Sequence, residues 1–246
     1  MTLKASLINV LCPNRCPGCG AFLPAFARLC PDCEESVLLR NDDYCHFCGK
    51  MRCFCGRKTV SYDSATVCSR YFAKDDMPAD RALWAYKRGR NHAIAYFAAS
   101  ILASRLTDSI LYGTFDLVTS VPMHPRKMRR RGCNQAAVFG KALARELSLP
   151  YREDMLFQQW DRRSQHDLSA ADREKHVSMY GIRDCDLTGR RILLCDDVLT
   201  TGATLDKCAA LLKSCGAVYV TAAVIATTSR LTDEELQKLS YLSPTT

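Results

Sequence analysis

The thirteen residues from Ile192 to Thr204, Ile-Leu-Leu-Cys-Asp-Asp-Val-Leu-Thr-Thr-Gly-Ala-Thr, constrain this chain more than any other stretch. Ile192 to Cys195 form an apolar run without alternation, the pattern of a strand covered on both faces in a parallel sheet. Two carboxylates, Asp196 and Asp197, follow and are expected to end the strand. The loop Thr200-Thr201-Gly202-Ala203-Thr204 then leads into a helix whose apolar positions Leu205, Cys208, Ala209 and Leu212 keep the helical period, with Gly216 as its stop. Such a loop at a helix N-terminus is a phosphate cradle: backbone N–H groups and the positive end of the helix hold a monoester, and threonine hydroxyls add donors. The adjacent acids can accept hydrogen bonds from the vicinal hydroxyls of a sugar carrying that phosphate.

This run resembles the signature of the type I phosphoribosyltransferases, which bind 5-phosphoribosyl 1-diphosphate (PRPP) with Mg2+. The resemblance implies that Asp196 and Asp197 hold the ribose hydroxyls, and that Thr200, Thr201, Gly202, Ala203 and Thr204 hold the 5′-phosphate. An ordinary buried strand with an acidic turn would need neither both acids nor three threonines.

At 246 residues the chain has room for one α/β domain and a small appendage. Its 48% hydrophobic and 24% charged residues are those of a soluble globular protein. No apolar run reaches the eighteen or so residues of a membrane span, and the N-terminus lacks the small-residue cleavage site of a signal peptide. A net charge of +8 favours polyanionic partners without naming one.

Of fifteen cysteines, nine lie between Cys12 and Cys55. A disulfide scaffold would seldom set them as close Cys-x-x-Cys pairs, whereas thiolate ligation of a metal in a reducing cytoplasm fits. Cys16, Cys19, Cys30 and Cys33 make one four-thiolate zinc site; Cys45, Cys48, Cys53 and Cys55 make a less regular candidate for a second. The spacing leaves open a cross-brace of the first knuckle with the third. A redox dithiol needs only one such motif. With few apolar residues between positions 12 and 58, the ion is expected to be structural, and loss of Cys16 or Cys33 to unfold the head while leaving the rest folded.

Further along, the pattern predicts a strand from Tyr62 to Ala73, a short helix opened by Pro78, a basic turn from Lys87 to Arg90, and a helix with Ile94, Phe97, Ala98, Ile101 and Leu102 on its buried stripe. The turn is either solvated surface or, through Lys87, a polyphosphate contact. A core strand is expected over Asp116 to Val121. The basic loop after it carries Arg126, Lys127, Arg129, Arg130 and Arg131 with no acid, ahead of a helix packed by Val138, Ala142 and Leu143. In an open parallel sheet ligands sit outside the carboxyl ends of the strands, so this loop and the phosphate loop can share an anion, a diphosphate or a polynucleotide backbone. Trp160 to His176 has no period and reads as a loop. Ala217 to Ala226 is a second buried strand, and Thr232 with Glu235 caps a terminal helix.

The run Val121-Pro122 with Arg131-Gly132-Cys133-Asn134-Gln135, the later Arg163-Ser164-Gln165, Leu168-Ser169 and Arg173, the central motif and the cysteine-rich start resemble, in that order, the ComF family (competence protein F). Cys133 stands where an aromatic is common and His176 where an asparagine is. The resemblance spans nearly the whole chain. It implies an α/β fold, a type I phosphoribosyltransferase-like parallel sheet with helices on both faces, over residues 59–246, behind a zinc ribbon-like head over residues 1–58. It also implies a mobile loop carrying Arg163, Gln165 and Arg173 that closes over the reacting centre, a cytoplasmic location, and work with incoming single-stranded DNA and the DNA-uptake machinery. Function then divides between a PRPP-binding protein that handles DNA, a phosphoribosyltransferase (pentosyltransferase) that displaces diphosphate onto an acceptor, and a zinc-and-basic-patch nucleic-acid module with a vestigial motif. Intact Asp196, Asp197 and Gly202 argue against the last.

Overall fold

The computed structural model describes residues 13–24, 27–38, 44–50, 60–71, 78–89, 91–108, 114–160 and 178–228. Cys53, Cys55, Arg163, Gln165, Arg173, His176 and the helix expected after Thr232 lie outside these ranges.

Five parallel strands form the sheet: β1 (Ser64–Tyr71), β2 (Leu117–Ser120), β3 (Tyr151–Arg152), β6 (Arg191–Leu199) and β7 (Tyr219–Thr228), in the order β1-β7-β6-β2-β3. β6 is central, with Leu194 registered between Thr119 of β2 and Ala222 of β7. Its apolar run divides between two cores because successive side chains of a strand point to opposite faces. Leu193 and Cys195 enter the cluster under α2 (Pro78–Lys87), α3 (Ala93–Asp108) and α5 (Gln135–Glu146). Ile192 and Leu194 enter the one under α6 (Ala203–Ser214). Helices therefore cover both faces, as the unbroken hydrophobicity of Ile192 to Cys195 requires. A separate antiparallel hairpin, β4 (Leu156–Trp160) with β5 (Ser178–Ile182), packs Leu156, Tyr180 and Ile182 against the α6 side.

Three local expectations are corrected. The basic stretch after β2 is a helix, α4 (Pro125–Arg131), and not a loop. Pro125 suits a first helical turn, the His124 ring accepts a bond from the Arg126 N–H at 3.1 Å, and Gly132 closes the helix at φ 81°. Arginines crowd its last turn, where the helix dipole favours cations. β6 does not end at the acidic pair: it continues to Leu199, with Asp196 registered to Val224. Trp160 ends a strand, β4, before the stretch read as a loop.

The cysteine-rich start is no detached appendage. α1 (Pro31–Val37) buries Cys33 and Val37 in the same cluster as Leu83, Tyr86 and Ile94, together with Cys16 and Leu29. Leu38 bridges Ser69 of β1. A Cβ on Gly49 would lie 3.0 Å from Leu199 and 3.1 Å from Ala65, so the second knuckle rests directly on the sheet.

Candidate functional site

β2 and β6 are neighbours, but their connections leave in opposite directions: α4 and α5 lead away to β3, and α6 leads away to β7 on the other face. Their carboxyl ends thus flank a topological switch point, where a crevice opens in sheets of this kind. The crevice is a cleft of about 170 Å3. Asp196 and Asp197 form its floor, Lys127 and Arg131 its basic wall, Thr204 its edge toward α6, and Gln158 with Tyr180 its hairpin side.

The acids are held by local backbone geometry. Asp196 accepts from the Asp197 N–H and Asp197 from the Val198 N–H, both at 2.8 Å. Burial, reinforced by the neighbouring Asp197 carboxylate, pushes the Asp196 carboxyl well above the usual carboxylate range, and the Lys87 charge works in the opposite direction. An acid kept against its preference, within a central strand at the cleft floor, has the character of a functional group.

The loop beyond is shaped by Gly202, at φ 85°, immediately before α6. A left-handed residue there turns the chain so that the first N–H groups of the helix face outward. The Thr201 hydroxyl accepts from the Ala203 N–H at 3.3 Å, and the Gly202 carbonyl from the Asp206 N–H at 2.9 Å. Thr200, Thr201 and Ala203 are exposed, Gly202 is buried, and only Thr204 of the five reaches the cleft wall.

α4 sorts the basic residues. Lys127 and Arg131, one turn apart on one face, line the cleft, while Arg126, Arg129 and Arg130 are exposed away from it. Lys87 lies with its Nζ 4.5 Å from the Tyr71 ring centroid, at the end of β1. The two basic segments meet in space: a Cβ on Gly89 would fall 2.8 Å from the Arg131 carbonyl oxygen.

Sequence reasoning assigned no role to several residues that build this site. Asn134 caps α5 by accepting from the Ala136 N–H at 3.1 Å, and its amide donates to the Val121 carbonyl at 3.0 Å, tying the basic helix to the end of β2. Gln135 receives Arg131 at 3.5 Å on its side-chain oxygen and the Tyr86 hydroxyl on its backbone carbonyl. Burial first, then the Asp197 charge, pushes the Tyr86 hydroxyl upward, so it remains a donor. Gln158 donates to the Tyr180 hydroxyl at 3.2 Å across the hairpin. Asn134 and Gln135 directly follow the basic run and could have been found there. The hairpin pair offered no periodic signal, since Leu156 to Trp160 reads apolar, apolar, polar, polar, apolar.

At the cysteine cluster, the sulfurs of Cys16, Cys19, Cys30 and Cys33 all lie within 4.8 Å of one another, Cys19 and Cys30 at 3.5 Å. A tetrahedron with Zn–S arms of about 2.3 Å has sulfurs about 3.8 Å apart, so the set fits a metal ion such as zinc. Burial raises the Cys16 thiol, but N–H groups of Cys30, Cys19 and Gly18 outweigh it and leave it lowered to about 7; burial and the neighbouring thiols push Cys33 upward. Four thiols in contact resist joint ionisation without a cation among them. The turn at Cys45 repeats that at Cys16. Gly20 and Gly49 have φ 80° and 71°, and each donates to the first cysteine of its pair, at 2.8 and 2.7 Å. Cys45 and Cys48 are thus presented as a knuckle, while their expected partners Cys53 and Cys55 lie outside the described residues.

Among the described residues no helix is long and apolar enough to cross a membrane. A family model described as the phosphoribosyl transferase domain matches residues 134–242. Competence protein F of Haemophilus influenzae is 26% identical over 201 residues, covering 76% of this chain and 85% of that protein. The DNA utilization protein YhgH of Escherichia coli K12 is 32% identical over 105 residues, which are 43% of this chain and 46%, about half, of YhgH. Among solved structures, a purine phosphoribosyltransferase from Pyrococcus horikoshii aligns at 20% identity and a TM-score of 0.37, over 56% of this chain and 77% of its own. The chain is thus similar to competence protein F and to DNA utilization protein YhgH, and it carries a match to the phosphoribosyl transferase domain behind an N-terminal cysteine cluster.

Proposed function

We propose that this protein binds PRPP at Asp196, Asp197 and the loop from Thr200 to Thr204, and handles single-stranded DNA in the cytoplasm during DNA uptake. One observation carries the ligand assignment. The acidic pair lies in the carboxyl-terminal half of the central strand at the switch point, with a glycine-turned helix N-terminus beyond the strand end and Lys127 and Arg131 across the cleft. That order matches the parts of a phosphoribosyl diphosphate: a 5′-phosphate for the loop N–H groups, vicinal hydroxyls for the acids, and a diphosphate for the basic wall. Mg2+ accompanying the ligand would neutralise part of the diphosphate charge. The names of the relatives, competence protein F and DNA utilization protein, support the DNA role. In this reading zinc fills the Cys16, Cys19, Cys30 and Cys33 site, and Cys45, Cys48, Cys53 and Cys55 make a second. The head spans residues 1–58, the phosphoribosyltransferase-like domain residues 59–246, and Arg163, Gln165 and Arg173 belong to a loop that closes over the ligand. A reducing compartment keeps so many thiols available to metal.

A second reading, transfer of the phosphoribosyl group to an acceptor, is favoured by the space beside Gln158 and Tyr180, which leaves one side of the cleft lined by hydrogen-bonding groups that the phosphates and the ribose do not need. Purified protein incubated with PRPP, Mg2+ and a panel of bases, nucleosides and amines separates the two. Diphosphate released only with one acceptor makes the protein a transferase, and tight binding of PRPP without release makes the ligand a regulator.

A further inference from the structure

We propose that the outward stripe of α2, Arg81, Trp84 and Arg88, is a stacking platform for single-stranded nucleic acid, lying outside the PRPP cleft; this rests on the DNA-handling reading above and names where the strand binds. α2 buries Ala82, Leu83 and Tyr86 and turns Arg81 and Trp84 to solvent, and exposed Arg88, the residue after its end, donates its N–H to the Trp84 carbonyl at 3.2 Å, so that the three are spaced three and four residues apart in one row. Trp84 is 48% exposed, and an exposed indole is the kind of surface on which the bases of a single strand stack. The Arg88 guanidinium lies 3.5 Å from the centroid of its ring, so a cation is already stacked on the indole.

The row is continuous with other basic and aromatic groups. At its start, a Cβ on Gly18 of the first knuckle would touch Pro78 at 3.1 Å; at its end, Gly89 abuts the Arg131 carbonyl, which brings the exposed Arg129 and Arg130 of α4 alongside. No acidic side chain is exposed on α2 or α4, since Asp80 is buried. The same pairing recurs where the head meets α3, with Arg28 5.1 Å over Tyr96, and within the head, with Arg15 4.1 Å over Phe22, itself 67% exposed.

Charge alone would suit any polyanion, but an exposed indole selects for open base faces. Bases of a duplex are stacked on each other and offer no face to a tryptophan on a convex helix, whereas those of a single strand do. The arginines contact the phosphates on either side. Because Arg131 both lines the cleft and abuts Gly89, the strand and the PRPP site share one boundary residue without sharing a site.

The test measures binding of a thirty-residue oligothymidylate, a duplex of the same length, and inorganic polyphosphate to the full chain and to Trp84→Ala, Trp84→Phe and the double variant Arg81→Gln, Arg88→Gln. Circular dichroism checks that each variant is folded. Trp84→Ala is expected to weaken the single strand roughly fivefold to a hundredfold while sparing polyphosphate, and Trp84→Phe to retain most of the affinity. The arginine pair should flatten the logarithmic salt slope by roughly 1.4, about 0.7 for each lost contact. Oligothymidylate should also quench tryptophan emission of the parent more than that of Trp84→Phe. If the parent binds the single strand and Trp84→Ala binds it equally well, or loses single strand and polyphosphate alike, the platform is refuted and DNA handling stands. Failure of the parent to bind any single strand overturns the DNA-handling reading itself, and the platform with it.

Discussion

Replacing Gly202 by alanine separates the geometry of the phosphate loop from its chemistry. At φ 85° an L side chain is strained by about 1–2 kcal/mol. The added Cβ would lie 3.3 Å from the Tyr62 hydroxyl, which donates to the Cys48 carbonyl at 2.9 Å, so the phenol must shift by a few tenths of an ångström. For a chain of this size each kcal/mol moves the thermal midpoint by about 2–4 °C, which gives a fall of roughly 2–8 °C. Gly189 supplies the control. It lies beyond the opposite end of β6 at φ 72°, and a Cβ there meets nothing within 4 Å, so Gly189→Ala carries the backbone strain alone. Both variants should lose similar stability by scanning calorimetry. Only Gly202→Ala should weaken ribose 5-phosphate in a titration, by roughly tenfold to a hundredfold, because relaxing φ turns away N–H groups that bond a charged phosphate at about 1.5–3 kcal/mol each. Undiminished binding by Gly202→Ala, at the expected loss of stability, would refute the cradle.

Asp196→Asn should stabilise the protein at neutral pH by on the order of 1 kcal/mol. A carboxyl raised by burial and Asp197 favours the folded state below the unfolded value of about 3.9 and loses that contribution as pH rises through the folded value; the gain over the parent must therefore grow from acid toward pH 7 in denaturant titrations, and an unchanged difference would remove the buried-charge argument. Chelation of the metal, or Cys33→Ser, should lower the unfolding midpoint of the whole chain and not of a separate head, since Cys16, Leu29, Cys33 and Val37 share one core with α2 and α3; a calorimetric trace with an unmoved main transition would contradict this. Lys127→Ala with Arg131→Ala should weaken PRPP more than ribose 5-phosphate, whereas Arg126→Ala should affect neither. Equal losses for the two ligands would deny the basic wall its diphosphate.

The central strand, the acidic pair and the phosphate loop were legible because each is local: an unalternating apolar run, two acids and a glycine turn describe their own conformation. α4 was misread because a run of like charges looks unfavourable for a helix, while Pro125, the His124 cap and Gly132 act at its two ends and supply the stop and start signals. The fusion of head and sheet was hidden in residues such as Gly49, whose meaning is a contact with Leu199, 150 positions later in the chain, and so has no local pattern. Gln158 and Tyr180 come together only through the register of the β4–β5 pairing, which pairs them directly. Tyr86 has no local pattern that announces a polar contact; its hydroxyl bond to Gln135 is what links α2 to the cleft wall.

Titration calorimetry with PRPP and Mg2+ on the parent and on the double variant Asp196→Asn, Asp197→Asn tests the central claim most directly. The parent should bind one PRPP per chain. The variant should bind it at least tenfold more weakly, because each amide presents donors where the ribose offers its own, while inorganic phosphate binds both proteins alike through the untouched loop N–H groups. PRPP bound equally well by parent and variant would mean that the two acids of β6 do not hold the ribose, and the ligand site would have to be sought elsewhere on the molecule.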